Sequence, residues 1–201
     1  MPLILAVLLG LHVALMALAP ILSAKIVLIG LLAFPAGQLV VGAANGLLDV
    51  INDRWGRSEA RASVVTALVV RLALYLILIP LLVALPGHSP DGYDAILGQS
   101  VRLFAAGELG VFIESWLVST SVFTWLRART LGRWFALRYL TATGLGTVVG
   151  TTVFVAAGYA LTGAPILPLI AGGVTVRLLL LIVLAPAFTG LRRVVGRLTH
   201  G

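Results

Sequence analysis

Apolar residues fall in six long runs separated by short polar stretches, covering residues 3–22, 34–52, 60–85, 97–126, 139–161 and 166–191. Runs of about 18 or more such residues predict transmembrane helices. Pro20 is expected to end or kink the first run, which is otherwise interrupted only by Gly10 and His12. In the second, Gly42 and Gly46 form a G-x-x-x-G spacing that lets another helix approach closely. The third carries Arg71 and ends at a turn signal, Pro86 to Gly92. The fourth is the least apolar, with Arg102, Glu108, Glu114, Ser115, Ser119 and Ser121, and a basic connector from Arg127 to Arg138 follows it. The fifth has a polar side of Thr141, Thr143, Thr147, Thr151 and Thr152, and the sixth carries Arg177 and Pro186.

Composition excludes an ordinary soluble domain. The 201 residues are 60% hydrophobic and only 10% charged, with a mean hydropathy of +1.12, where soluble chains are about a quarter charged. The formal net charge of +7 does not point to nucleic acid, because the arginines sit between the apolar runs. Arg54, Arg57 and Arg61 follow run two, Arg127, Arg129, Arg133 and Arg138 follow run four, and Arg192, Arg193 and Arg197 follow run six. The opposite loops carry Lys25 beside Asp91 and Asp94. The positive-inside bias therefore predicts an all-α, polytopic membrane helix bundle of six transmembrane helices with both termini cytoplasmic. Residues 1–201 are expected to form a single transmembrane domain. The N-terminus lacks a basic segment ahead of its apolar run, so that run is read as a retained helix.

A charge in lipid costs about 2.5–3.5 kcal/mol on insertion scales, so each one needs a partner or a cavity. Arg71 lies about 15 Å along a helix from Arg61, near mid-membrane. Glu108 lies at similar depth on run four, with Glu114 about 9 Å deeper, and Arg177 lies well inside run six. Two buried cations and two buried acids are read either as static helix–helix pairs or as a polar cavity for a solute or a coupling proton. In the second reading one acid is neutralised by Arg71 or Arg177 and the other is free for solute. Thr147 belongs to that cavity, and Trp116 with Phe112 offers rings for stacking a flat solute or for packing. Asp49, on the last turns of run two, is expected to bond Arg54, Arg57 or Arg61 and cap a gate. His12 is read as a helix-contact histidine. No metal site is predicted, since His12, His88 and His200 lie in different segments without ligand spacing. No cofactor is predicted either. Neither a phosphate-binding loop nor a G-x-S-x-G elbow is present, so the chain is read as a non-enzyme.

The most distinctive text is Ala24-Lys25-Ile26-Val27, Phe34-Pro35-Ala36-Gly37 and Asp49-Val50-Ile51-Asn52-Asp53-x-Trp55-Gly56-x-x-x-Ala60-Arg61. With Arg102-Leu103, Val118 to Arg127, Leu137-Arg138, Thr141 to Phe154, and Arg177 followed by Pro186, it resembles the VUT family of six-helix bacterial membrane proteins, which includes queuosine precursor transporters. Asp49 matches a family position. The queuosine-precursor branch usually carries a Gln and an Asp near where this chain has Trp116 and Ser119, and an amide and an Asp near Thr147 and Gly150. The resemblance implies uptake of a 7-deazaguanine such as preQ0 or preQ1 across the bacterial inner membrane. Asp49, which matches the family, and Glu108, Glu114, Arg71, Arg177, Trp116 and Thr147, read from the residues themselves, are the expected solute-binding residues. The expected partners are a small solute and the lipid bilayer, with no nucleic acid. A homo-oligomer and a coupling proton stay open, as do two alternatives: a solute-binding membrane subunit served by a separate energising module, and an intramembrane enzyme.

Overall fold

The computed structural model describes residues 3–86, 91–131, 133–160 and 162–200. Six helices carry the fold: α1 Leu3–Ser23, α2 Gly37–Trp55, α3 Arg57–Ala84, α4 Tyr93–Arg129, α5 Phe135–Tyr159 and α6 Ile166–His200. All except α2 are long and apolar enough to cross a membrane. Their outward residues, such as Leu3, Val7, Leu76, Ile77, Leu145 and Val183, are exposed. An apolar surface this extensive calls for lipid, not water, around it. The protein is a multi-pass membrane protein. The loop expected around residues 87–90 and the expected end of run five at Leu161 lie outside the described residues.

The helices follow the apolar runs, with ends that differ by a few residues. Pro20 does not end α1, which continues to Ser23. Gly56, at φ +94°, breaks the chain between α2 and α3, a left-handed turn that suits glycine. Within α3 the backbone widens to a π-helical turn at Leu74–Leu78, just ahead of Pro80, which has no N–H to donate.

One element departs from the all-helical expectation. Residues assigned to the approach and start of run two form a β-hairpin, β1 Ile26–Ile29 against β2 Leu32–Pro35, in antiparallel register from Ile26↔Pro35 to Ile29↔Leu32. Gly30, at φ +58°, takes the first central position of the two-residue turn, where a II′ hairpin needs positive φ. Helix α2 therefore starts at Gly37, not Phe34. The hairpin sits against α6, where the backbone of Ala33 approaches Gly172 so closely that a Cβ there would have no room.

Helix α2 is the axis of the bundle, buried over most of its length and packed against α1, α3, α5 and α6. The G-x-x-x-G spacing meets α6: a Cβ on Gly46 would enter the Phe188 ring, while one on Gly42 would stand 3.0 Å from a flexible Leu180 methyl. Gly46→Ala should therefore destabilise the protein by about 1–3 kcal/mol, an overpacking cost. Gly42→Ala should stay within about 0.5 kcal/mol. Thermal unfolding of the two variants in detergent checks the contrast.

Candidate functional site

The inner faces of α2, α4, α5 and α6 are polar, and they meet along the bundle axis. On α2 the buried residues Gln38, Asn45, Asp49, Asn52 and Asp53 recur at helical spacing. On α5, which runs antiparallel, Thr151, Thr147 and Thr143 recur every four residues and are buried, while Thr141 and Thr152 face outward. Pairing these two stripes gives a ladder of polar layers from the hairpin end to the arginine-rich end.

At the hairpin end a cleft of about 430 Å³, its mouth included, has about 30 Å³ open to the centres of water molecules. Arg71 and Glu108 form a 3.1 Å ion pair on its wall, linking α3 to α4. Gln38, Glu114 and Arg177 line its deeper part, and Val41, Leu103, Val111 and Phe154 supply apolar walls. The next layer is a network around Glu114. Both Glu114 oxygens accept from Arg177, with Nη1 at 2.9 Å from Oε2 and Nη2 bonded to Oε1. The Asn45 amide donates to Glu114 as well. Arg177 also donates to Thr151 at 3.0 Å, and Ser115 donates to Asn45 at 3.3 Å. Thr151 in turn donates to Gln38 at 3.4 Å. The glycines of α5 make this approach possible, because a Cβ on Gly150 would collide with the Glu114 side chain.

Asp49 forms the third layer. It is buried and accepts a hydrogen bond from Thr143. Ser119 lies beside it without meeting hydrogen-bond geometry. The hydroxyls of Ser119, Thr147 and Tyr139 are all buried without a partner. At the arginine-rich end Asp53 gathers three helices: Arg138 from α5 at 2.8 Å, Arg192 from α6 at 2.5 Å and Arg127 from α4 at 3.9 Å. Arg127 also donates to the Asn52 carbonyl at 3.1 Å.

These contacts revise several expectations. One of Glu108 and Glu114 is expected without an arginine partner, but both have one: Arg71 pairs with the first and Arg177 with the second. Asp49 bonds Thr143 instead of a loop arginine, because it lies one helical turn deeper than Asp53, which takes the arginines. Of the three expected partners, Arg57 donates to Ser121 at 2.8 Å and Arg61 lies over the Trp116 ring at 4.6 Å. Trp116 is therefore not in the cleft; it faces outward between α3 and α4 and stacks on Phe112 at 5.6 Å. Regular helical spacing puts Glu114 on a different face from Ser115 and Ser119. In the structure all three are buried, because Phe112–Ser119 is a π-helix whose wider turn brings them inward. Thr147 is buried in the spine but does not line the cleft, and His12 is a helix contact, its Nδ1 2.8 Å from Ser63 Oγ.

Sequence reasoning did not single out Gln38, Asn45, Thr143, Thr151, Asp53 or Arg138 as site residues. The signal that finds the α2 set is its amide and acid spacing, polar residues repeating on one face of an otherwise apolar helix.

Among family models, the one described as "Putative vitamin uptake transporter" matches residues 35–191, which takes in all of this spine except Arg192. No curated protein and no solved structure matches the chain.

Proposed function

Since the chain belongs to the vitamin uptake transporter family, we propose that it carries a small flat solute, foremost a 7-deazaguanine such as preQ0 or preQ1, across the bacterial inner membrane. The observation that carries this reading is the hairpin-end cleft, where a carboxylate–arginine pair and the Gln38 amide stand between apolar walls. A guanine-like edge presents adjacent N–H donors and a carbonyl acceptor, which suit a carboxylate, an amide and a guanidinium. Its flat faces suit the walls formed by Val41, Leu103 and Phe154. A bicyclic base is larger than the space now open, so the helices around the cleft part to admit it. The bundle then works as one transport domain of six spans, α2 being the polar, protein-enclosed one, with the Asp53 arginines at the cytoplasmic side.

Glu108, Glu114 and Asp53 have arginine partners, whereas Asp49 is held by a hydroxyl. In this reading Asp49 is the acid left to meet the solute or a coupling proton on its way down the spine. Asp49→Asn keeps the shape and the acceptor oxygen for Thr143. It should cut uptake about tenfold or more, the worth of one charge-assisted hydrogen bond, with membrane abundance near wild type. The measurement is uptake of labelled preQ0 and preQ1 into cells lacking their own synthesis and transport. No uptake of either base by the wild-type protein removes the deazaguanine assignment. Wild-type uptake by Asp49→Asn leaves Asp49 a helix anchor.

A further inference from the structure

A second concave site lies outside the spine, on the lipid-facing seam between α3 and α4 near the arginine-rich end. It is a shallow, open groove of about 1000 Å³, its open mouth included, lined by Arg57, Ser58, Arg61 and Thr66 of α3 and by Trp116 of α4, with no acid among its lining residues. Arg57 is held in place by its bond to Ser121. Arg61 is spread over the Trp116 ring, and its buried Nε has no hydrogen-bond partner. The two arginines are one helical turn apart, about 6 Å along α3, so both reach one anionic group. Two guanidiniums side by side near the membrane surface attract an anionic headgroup. Nothing in the solute cleft explains this pair, since the cleft is lined by other residues.

We propose that this groove binds the headgroup of an anionic phospholipid, with the phosphate between Arg57 and Arg61. The surface that continues from it argues for a lipid over a free anion. Val65, Val69, Leu72 and Leu76 run down α3 at three- and four-residue spacing, and Leu109 and Phe112 flank Trp116 on α4; all are exposed. A charged groove running into an apolar strip matches a phospholipid, headgroup at one end and acyl chain along the other. Basic pockets between membrane helices bind acidic headgroups through the same chemistry. The tryptophan ring holds the Arg61 guanidinium 4.6 Å from its centroid, and a guanidinium in such a contact keeps N–H donors for a phosphate.

Native mass spectrometry of the purified full chain, incubated with phosphatidylglycerol, phosphatidylcholine or inorganic phosphate, tests the site without any knowledge of the solute. Phosphatidylglycerol should be retained about tenfold more than phosphatidylcholine. The preference should vanish in the Arg57→Gln/Arg61→Gln double variant, persist in Arg61→Lys, and persist in the exposed control Arg193→Gln. Thermal unfolding of each variant shows whether it is folded. Equal retention of the two lipids overturns the proposal, as does a preference that survives in the folded double variant. Displacement of phosphatidylglycerol by an equal concentration of inorganic phosphate overturns it too, making the groove a free-anion site.

Discussion

Asp53→Ala is expected to lower the stability of the purified protein by about 3–5 kcal/mol, the cost of removing one partner from a buried ion pair. Arg138 decides the size of the effect. It is fully buried, whereas the side chains of Arg127 and Arg192 are 40% and 32% exposed and can turn to water. Arg138 keeps its Nε bond to the Arg133 carbonyl at 3.1 Å and its place over the Phe123 and Phe135 rings, so the loss should fall toward the lower end of the range. Asp53→Asn should cost less, because the amide oxygen still accepts one of the guanidinium bonds. Arg138→Leu in the Asp53→Ala background should recover part of the loss, since no charge is then stranded. Thermal unfolding in detergent measures all three. An Asp53→Ala protein as stable as wild type would remove Asp53 from the role of tying α4, α5 and α6 to α2.

The helices were legible in the sequence because lipid demands long apolar runs, and such runs can hardly be confused with anything else. Their ends were less so: α6 runs beyond Leu191 through Arg192, Arg193 and Arg197 to His200, because polar residues in the exposed last turns do not stop a helix. The hairpin was not legible. Ile26 to Phe34 is apolar at almost every position, so the alternation that marks a half-buried strand is missing, and only Gly30 hints at the turn. The acids and arginines of the site were legible singly, as charges where lipid forbids them. Their pairing was not, because it depends on which helices are neighbours. Arg71 meets Glu108 across α3 and α4, and Arg177 meets Glu114 across α6 and α4. Glu114 reaches Arg177 by way of the π-helical turn, a backbone irregularity that residue spacing alone does not encode. Asp49 and Asp53 show the same limit at smaller scale. Four residues apart on one helix face, one meets a threonine and the other three arginines.

The Glu114–Arg177 pair separates packing from transport most sharply. Both side chains are buried, bonded through two guanidinium–carboxylate contacts, and braced by Asn45 and Thr151. Glu114→Gln keeps the shape but strands the arginine, and Arg177→Gln strands the acid. Each single change should cost about 3–5 kcal/mol and show as lower membrane abundance and an earlier thermal transition. The double Glu114→Gln/Arg177→Gln variant removes both charges while leaving amides for Asn45 and Thr151 to bond. It should regain most of the lost stability, and residues in direct contact commonly couple by about 0.5–3 kcal/mol in such cycles. Uptake then discriminates. If the pair lines the solute path, as its place in the wall of the cleft suggests, the stable double variant should carry labelled preQ0 or preQ1 at no more than about a tenth of the wild-type rate, the loss expected for one charged contact. A double variant that is both abundant and fully active would make the pair a static link between α4 and α6. The path would then run past Arg71 and Glu108 to Asp49 without it.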